Sequence, residues 1–140
     1  MKKGLKIIFL DVDGVLNCKE TINRYDGFIG IDPFLVAIFN RIIFATDAKI
    51  VLSSTWRLGK FSRDEVRQRV MDFIDVTPEL KGVRGLEINT WLKDHPEVKK
   101  YAILDDEGDF LTGQPLFQTT WEKGLTDEIA NKVIKHLNSD

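Results

Sequence analysis

Apolar residues in this chain gather in short unbroken runs that stop at polar residues, and these runs alternate with stretches of helical spacing. Ile7-Ile8-Phe9-Leu10 is rich in strand formers and uninterrupted, which suits a strand covered on both faces. Asp32-Pro33 then has the form of an N-cap followed by proline at the first helical position. Phe34, Ala37, Ile38, Ile42 and Ala45 recur at helical spacing behind it, so the spacing predicts a helix ending near Asp47. Lys49-Ile50-Val51-Leu52 predicts a second buried strand that stops at Ser53-Ser54. Ser62-Arg63-Asp64-Glu65 has the spacing of a capping box before a second helix carrying Val66, Val70 and Phe73. After a turn-rich stretch from Thr77 to Gly85, Leu86 to Lys93 reads as a short helix closed by Pro96. Tyr101-Ala102-Ile103-Leu104 is a third strand running into Asp105-Asp106. Pro115 to Thr120 predicts a fourth, edge strand, and Thr126 caps a last helix with Ile129, Val133, Ile134 and Leu137 on one face. Strands alternating with helices predict an α/β fold: a mainly parallel sheet with helices on both faces, three layers in all.

Composition narrows the class. The chain has 140 residues, 43% of them hydrophobic and 30% charged, the balance of one globular domain over residues 1–140. Its apolar runs fall short of the roughly 20 residues of a membrane span, and the run behind the basic start is too short for a signal-peptide core. A cytoplasmic location is expected. One cysteine and two histidines give neither an internal disulfide nor a zinc cluster, and Cys18 is read as an incidental thiol. A formal net charge of −2 supplies no global field for nucleic acid, and the mixed signs from Arg63 to Arg69 read as a solvated helix face.

The chemistry collects where the predicted strands end. In an open parallel sheet the ligand site lies beyond the carboxyl ends of the strands, and three ends carry polar groups: Asp11 with Asp13, Ser53 with Ser54, and Asp105 with Asp106. Side chains two apart on an extended segment point the same way, so Asp11 and Asp13 are expected to direct two carboxylates at one spot. A divalent cation would offset their repulsion. Hard oxygen ligands without histidine or thiolate favour magnesium, with Asp105 and Asp106 completing its shell.

The segment Asp11-Val12-Asp13-Gly14-Val15-Leu16 resembles the first motif of the haloacid dehalogenase-like (HAD) hydrolases, an Asp-x-Asp-Gly-x-x segment after a buried strand. The later motifs occur in order, a hydroxyl residue after strand two and an acidic pair after strand three. The resemblance covers roughly residues 6 to 120, and Gly124-Leu125-Thr126 with the final helix suits the short phosphatase branch found in some RNA-repair proteins. It implies a Rossmann-like fold and a magnesium-dependent phosphatase. Asp11 would be the nucleophile, forming an aspartyl-phosphate, and Asp13 the general acid and base. Magnesium would be held by the Asp11 carboxylate, the Asp13 main-chain carbonyl and one or both of Asp105 and Asp106. Ser53 and backbone groups near Ser54 would bind the phosphoryl oxygens. The second acid, Asp13, favours phosphate esters over carbon–halogen bonds, and Gly14 would let the backbone turn sharply.

The family's lysine before the last acidic motif has no clear counterpart, and Lys81 and Arg84 compete for its role, with Arg57 a third candidate. Arg84 is favoured because Arg84-Gly85-Leu86 opens a helix whose backbone N–H groups would also attract phosphate. Trp91 reads as core. Trp56 and Trp121 read as packing, with ring stacking at the site as the alternative, and His95 and His136 read as surface or capping residues. The intervals between motifs leave no room for a full cap domain, so an open site with a minimal cap is expected. That suits a nucleic-acid end, a phosphoprotein or a partner-covered site, or a small nucleotide if residues 17–31 close as a lid. A small-metabolite phosphatase, a catalytically silent binding module and a signalling receiver are the competing readings. Asp11 with Asp13 after the first strand counts against the last two.

Overall fold

The computed structural model describes residues 4–80 and 82–140; Lys81 lies outside the described residues. Five strands form one sheet: β1 (Leu5–Leu10), β4 (Lys49–Leu52), β5 (Asp75–Val76), β6 (Val98–Asp105) and β7 (Leu116–Gln118). Their order is β5-β4-β1-β6-β7 and every pairing is parallel. A two-stranded antiparallel hairpin, β2 (Arg24–Tyr25) and β3 (Phe28–Ile29), is inserted after β1. Four α-helices lie among the described residues: α1 (Pro33–Thr46), α2 (Lys60–Arg69), α3 (Arg84–Lys93) and α4 (Asp127–Asn138).

The unbroken apolar strands follow from burial on both faces. Ile8, Leu10, Ile50, Leu52, Ala102 and Leu104 pack with Val36, Phe39 and Ile42 of α1 and Ala130, Val133 and Leu137 of α4. On the opposite face Ile7, Phe9, Val51 and Ile103 meet Ile88 and Trp91 of α3. The four residues Ile7 to Leu10 are fully inaccessible, and each contributes up to roughly 1.5–3 kcal/mol of transfer free energy. This is the expected mainly parallel, three-layer α/β architecture. What interrupts it between β1 and α1 is the hairpin.

Four local expectations change. In α1 the buried face is Leu35, Val36, Phe39, Ile42 and Thr46, whereas Phe34 is 83% exposed and Ala37 and Ala45 are also exposed. The helix is apolar nearly all round, so spacing alone left its inward face undefined. Second, Ser62 is not an N-cap: α2 starts at Lys60 straight out of a 3₁₀ turn over Thr55–Leu58, with Gly59 as its cap and no side-chain cap bond. Third, α2 stops at Arg69, so Val70 and Phe73 reach the core from the segment leading to β5, a strand absent from the sequence-based prediction. Fourth, α3 begins at Arg84, two residues before Leu86. The N-caps predicted at Asp32 and Thr126 do form, accepting the N–H groups of Phe34 and Ile129.

Candidate active site

Because β4 and β5 lie on one side of β1 and β6 and β7 on the other, the chain reverses its direction of winding between β1 and β6. A crevice opens at such a switch point, beyond the carboxyl ends of the strands. Asp11 follows β1 and donates its N–H to the Leu104 carbonyl at 3.0 Å, and Asp105 ends β6. Ser53 follows β4 and bonds the Leu10 carbonyl through its N–H at 2.9 Å. Parallel register thus brings all three polar strand ends into one row.

Asp11, Asp105 and Asp106 form a cluster in which one carboxylate oxygen from each lies within 4.8 Å of the others. Arg84 enters it from the first turn of α3, with Nη1 2.6 Å from Asp105 Oδ2 and 3.2 Å from Asp11 Oδ1. Burial, and then the charge of Asp105, push the Asp11 carboxyl up to about 8, with Arg84 pulling the other way. Burial likewise raises Asp106. Arg84 is half-buried, which opposes its charge, but the carboxylates of Asp11 and Asp105 outweigh that and hold the guanidinium ionised. Three acidic groups facing a single cation leave negative charge uncompensated. An all-oxygen donor set of this kind fits magnesium, whose charge would relieve the repulsion that lifts Asp11.

The Asp13 carboxylate is not part of this cluster, which corrects the expectation that Asp11 and Asp13 point at one spot. Alternation fails because the strand ends at Leu10 and Asp13 sits in a turn. Its side chain is held by two N–H donors, Asn17 Nδ2 to Oδ1 at 2.9 Å and Trp56 Nε1 to Oδ2 at 3.2 Å. Asn17 also accepts the Gly14 N–H through Oδ1 at 2.9 Å, locking the turn to the acid it carries. Gly14 has φ +79°, and a Cβ there would overlap the Asp106 carboxylate. The Gly14 carbonyl accepts the Thr119 hydroxyl at 2.5 Å, which ties this turn to the end of β7.

The two serines diverge. Ser54 Oγ accepts the Trp56 N–H at 3.1 Å and caps the 3₁₀ turn. Ser53 Oγ is buried with no hydrogen-bond partner among the described residues, an arrangement that costs free energy unless a ligand completes it. Thr77 Oγ1, beyond the end of β5, is in the same condition.

Of the three cations considered, Arg84 alone among the described residues touches the carboxylates. Arg57 turns away: its five N–H donors go to the carbonyls of Thr77, Ser53, Ser54 and Pro78 and to Glu87 Oε2. Lys81 is outside the described residues. The helix entrance at Arg84 differs from expectation as well, since the N–H groups of Arg84 and Gly85 are taken by Asp109 Oδ2 and the Asp109 carbonyl, both at 3.2 Å.

Remaining expectations fall out simply. Trp91 is core, edge-on to Phe9, and His95 stacks on it while its Nδ1 bonds the Trp91 carbonyl at the end of α3. His136 bonds the Tyr101 carbonyl. Cys18 is buried beside Thr21. Trp56 is buried and stacked on Tyr25 of the hairpin, with ring centroids 5.4 Å apart. Asn17, Thr119 and the hairpin were missed from sequence. The hairpin did leave a signal, Asp26-Gly27 between Tyr25 and Phe28, whose positive φ values of 50° and 82° are those of a tight two-residue turn.

A parallel Rossmann-like sheet with an acidic cluster at its switch point, one member of which is Asp11 of Asp11-Val12-Asp13-Gly14, defines a HAD-type α/β domain of the hydrolase and phosphatase superfamily. Residues 7–130 match the family model described as the HAD domain in Swiss Army Knife RNA repair proteins, and the chain belongs to that family. No curated protein shows significant similarity to it. Among the described residues, no helix is long and apolar enough to cross a membrane.

Proposed function

We propose that residues 1–140 act as one magnesium-dependent phosphomonoesterase domain with Asp11 as nucleophile. The observation that carries this reading is the buried Asp11 carboxylate at the β1/β6 switch point, ringed by Asp105, Asp106 and Arg84.

Asp11 Oδ attacks the phosphorus, the bond from phosphorus to the ester oxygen breaks, and Asp13 delivers its proton to the departing oxygen. Asp13 is then a carboxylate, in which form Asn17 and Trp56 both donate to it. It takes a proton from water, whose oxygen attacks the phosphorus and releases Asp11 with inorganic phosphate. Ser53 Oγ, without a partner among the described residues, donates to a phosphoryl oxygen, assisted by backbone groups near Ser54. Arg84 supplies the fixed positive charge at the acceptor. Asp11, Asp105, Asp106 and the main-chain carbonyl of Asp13 would hold magnesium, which when bound neutralises charge on the phosphoryl oxygens.

The RNA-repair family supports a nucleotide or nucleic-acid end as the ester. The hairpin in place of a larger insertion supports an open approach to Asp11. The test is phosphate release from an aryl phosphate with and without magnesium, in wild type and Asp11→Asn. Magnesium-dependent release that Asp11→Asn abolishes is expected. Release that survives the substitution, or none from any phosphomonoester tried, contradicts the assignment.

A further inference from the structure

Asp13 has a second neighbourhood. On the side formed by the hairpin and the 3₁₀ turn it borders a cleft of about 370 Å³ walled by Tyr25, Phe28, Trp56 and Trp121. Two of these rings are solvent-facing, Phe28 at 74% and Trp121 at 37% exposure, and they come from segments 93 residues apart. Single exposed aromatics are ordinary, but rings from the hairpin, the 3₁₀ turn and the loop after β7 meeting at one cleft need a reason. Backbone bonds set their places. Tyr25 and Phe28 pair across the hairpin, and the Trp121 carbonyl accepts the Lys19 N–H at 2.9 Å.

Trp56 joins this wall to the chemistry. Its face stacks on Tyr25 while its Nε1–H holds Asp13 Oδ2. In the hydrolase reading, on which this inference rests, Asp13 protonates the leaving oxygen, so the space bordering Asp13 away from the carboxylate cluster belongs to the alcohol part of the ester. That space has flat aromatic walls and the polar edges of Thr55 and Ser62, and among the described residues no lysine or arginine lines it. Such a lining suits an uncharged planar ring with polar edges and not a second phosphate or a bare sugar.

We infer that this cleft is a leaving-group subsite that stacks the nucleobase of a nucleoside phosphate, with Phe28 and Trp121 as its outer jaws and Trp56 as the link to Asp13. An unpaired base satisfies it, because a base within a duplex offers no free face to the rings.

The test compares adenosine 3′- and 5′-monophosphate with ribose 5-phosphate, taking the better adenosine ester, in wild type and in Phe28→Ala/Trp121→Ala. Both replaced side chains are exposed, so the core is not breached. Stacking of one base corresponds to a preference of about 5- to 150-fold. Wild type is expected to favour the adenosine ester by at least about tenfold in kcat/KM, mostly through KM, and the double variant to lose most of that ratio. A wild-type ratio near one, or a ratio the double variant keeps, overturns the subsite. A titration of Asp11→Asn with the same ligands, read by tryptophan fluorescence and calorimetry, separates the two readings. If wild type releases phosphate from neither ester nor from the aryl phosphate, the hydrolase assignment fails while the subsite still stands on tighter adenosine phosphate binding that Phe28→Ala/Trp121→Ala abolishes. Equal binding of both ligands, or binding of neither, overturns it.

Discussion

Replacing Arg57 by methionine removes the cation from a pair in which both side chains are almost fully buried, at 5% and 6% exposure with Nη2 3.1 Å from Glu87 Oε2. Arg57 bridges the turn after β4 to the segment after β5 and to α3, whose first residue is Arg84. Methionine fills much of the arginine stem's volume but donates nothing, so the carbonyls of Ser53, Ser54, Thr77 and Pro78 lose a donor, and among the described residues Glu87 keeps only the Leu80 N–H at 2.9 Å. Removing one partner of a buried pair costs about 3–5 kcal/mol, because the other charge stays uncompensated. Unfolding entropy for a chain of this length makes each kcal/mol worth about 3–4 °C, so the midpoint should fall by roughly 10–17 °C. Thermal melts followed by circular dichroism measure this directly. Replacing Glu87 as well, in Arg57→Met/Glu87→Met, should recover most of the loss, since two apolar side chains leave no buried charge. A single variant within about 2 °C of wild type, or a double variant no better than the single, would refute the view that this pair welds α3 to the site.

Three further outcomes follow from the geometry. In chelator, the folded Asp11 carboxyl titrates near 8 against an ordinary 3.8, so the folded state binds the extra proton between those values. Its contribution is fully present below about pH 4 and is lost as pH rises through about 8; melting temperature should fall across that window, and Asp11→Asn should flatten the fall. Gly14→Ala puts a side chain at φ +79° and into the Asp106 carboxylate, which should cost roughly 1–3 kcal/mol of stability and weaken magnesium binding measured by calorimetry. Trp56→Phe removes one of the two N–H donors on Asp13. A hydrogen bond to a charged group is worth about 1.5–3 kcal/mol, so the melting temperature should fall by roughly 5–10 °C, and kcat on an aryl phosphate should drop because the acid is no longer held in place.

Strand ends were the most legible part of this molecule, for a physical reason. The stretches of these parallel strands that are buried on both faces are apolar, and the first polar residue after each marks the end of the strand; hence Asp11, Ser53 and Asp105 could be placed from the sequence. Helix faces were less legible. The near-uniform apolarity of α1 hid that Leu35 and Phe39, and not Phe34, face inward. What escaped entirely depends on contacts distant in sequence: Trp56 reaches Asp13 across 43 residues, and Thr119 reaches Gly14 across 105. Local rules also misled where a tertiary feature overrode them. The spacing of Ser62 and Glu65 imitates a capping box inside a helix that the preceding turn had already started, and Arg57 lies one turn from Ser53 yet faces Glu87.

Rapid acid quenching of the protein during turnover of an aryl phosphate with magnesium would show whether Asp11 carries the phosphoryl group. Peptide mapping by mass spectrometry should find one phosphoryl group on the peptide containing Asp11 in wild type and none in Asp11→Asn. Turnover with that peptide unmodified, or with the phosphoryl group on another residue, would contradict it.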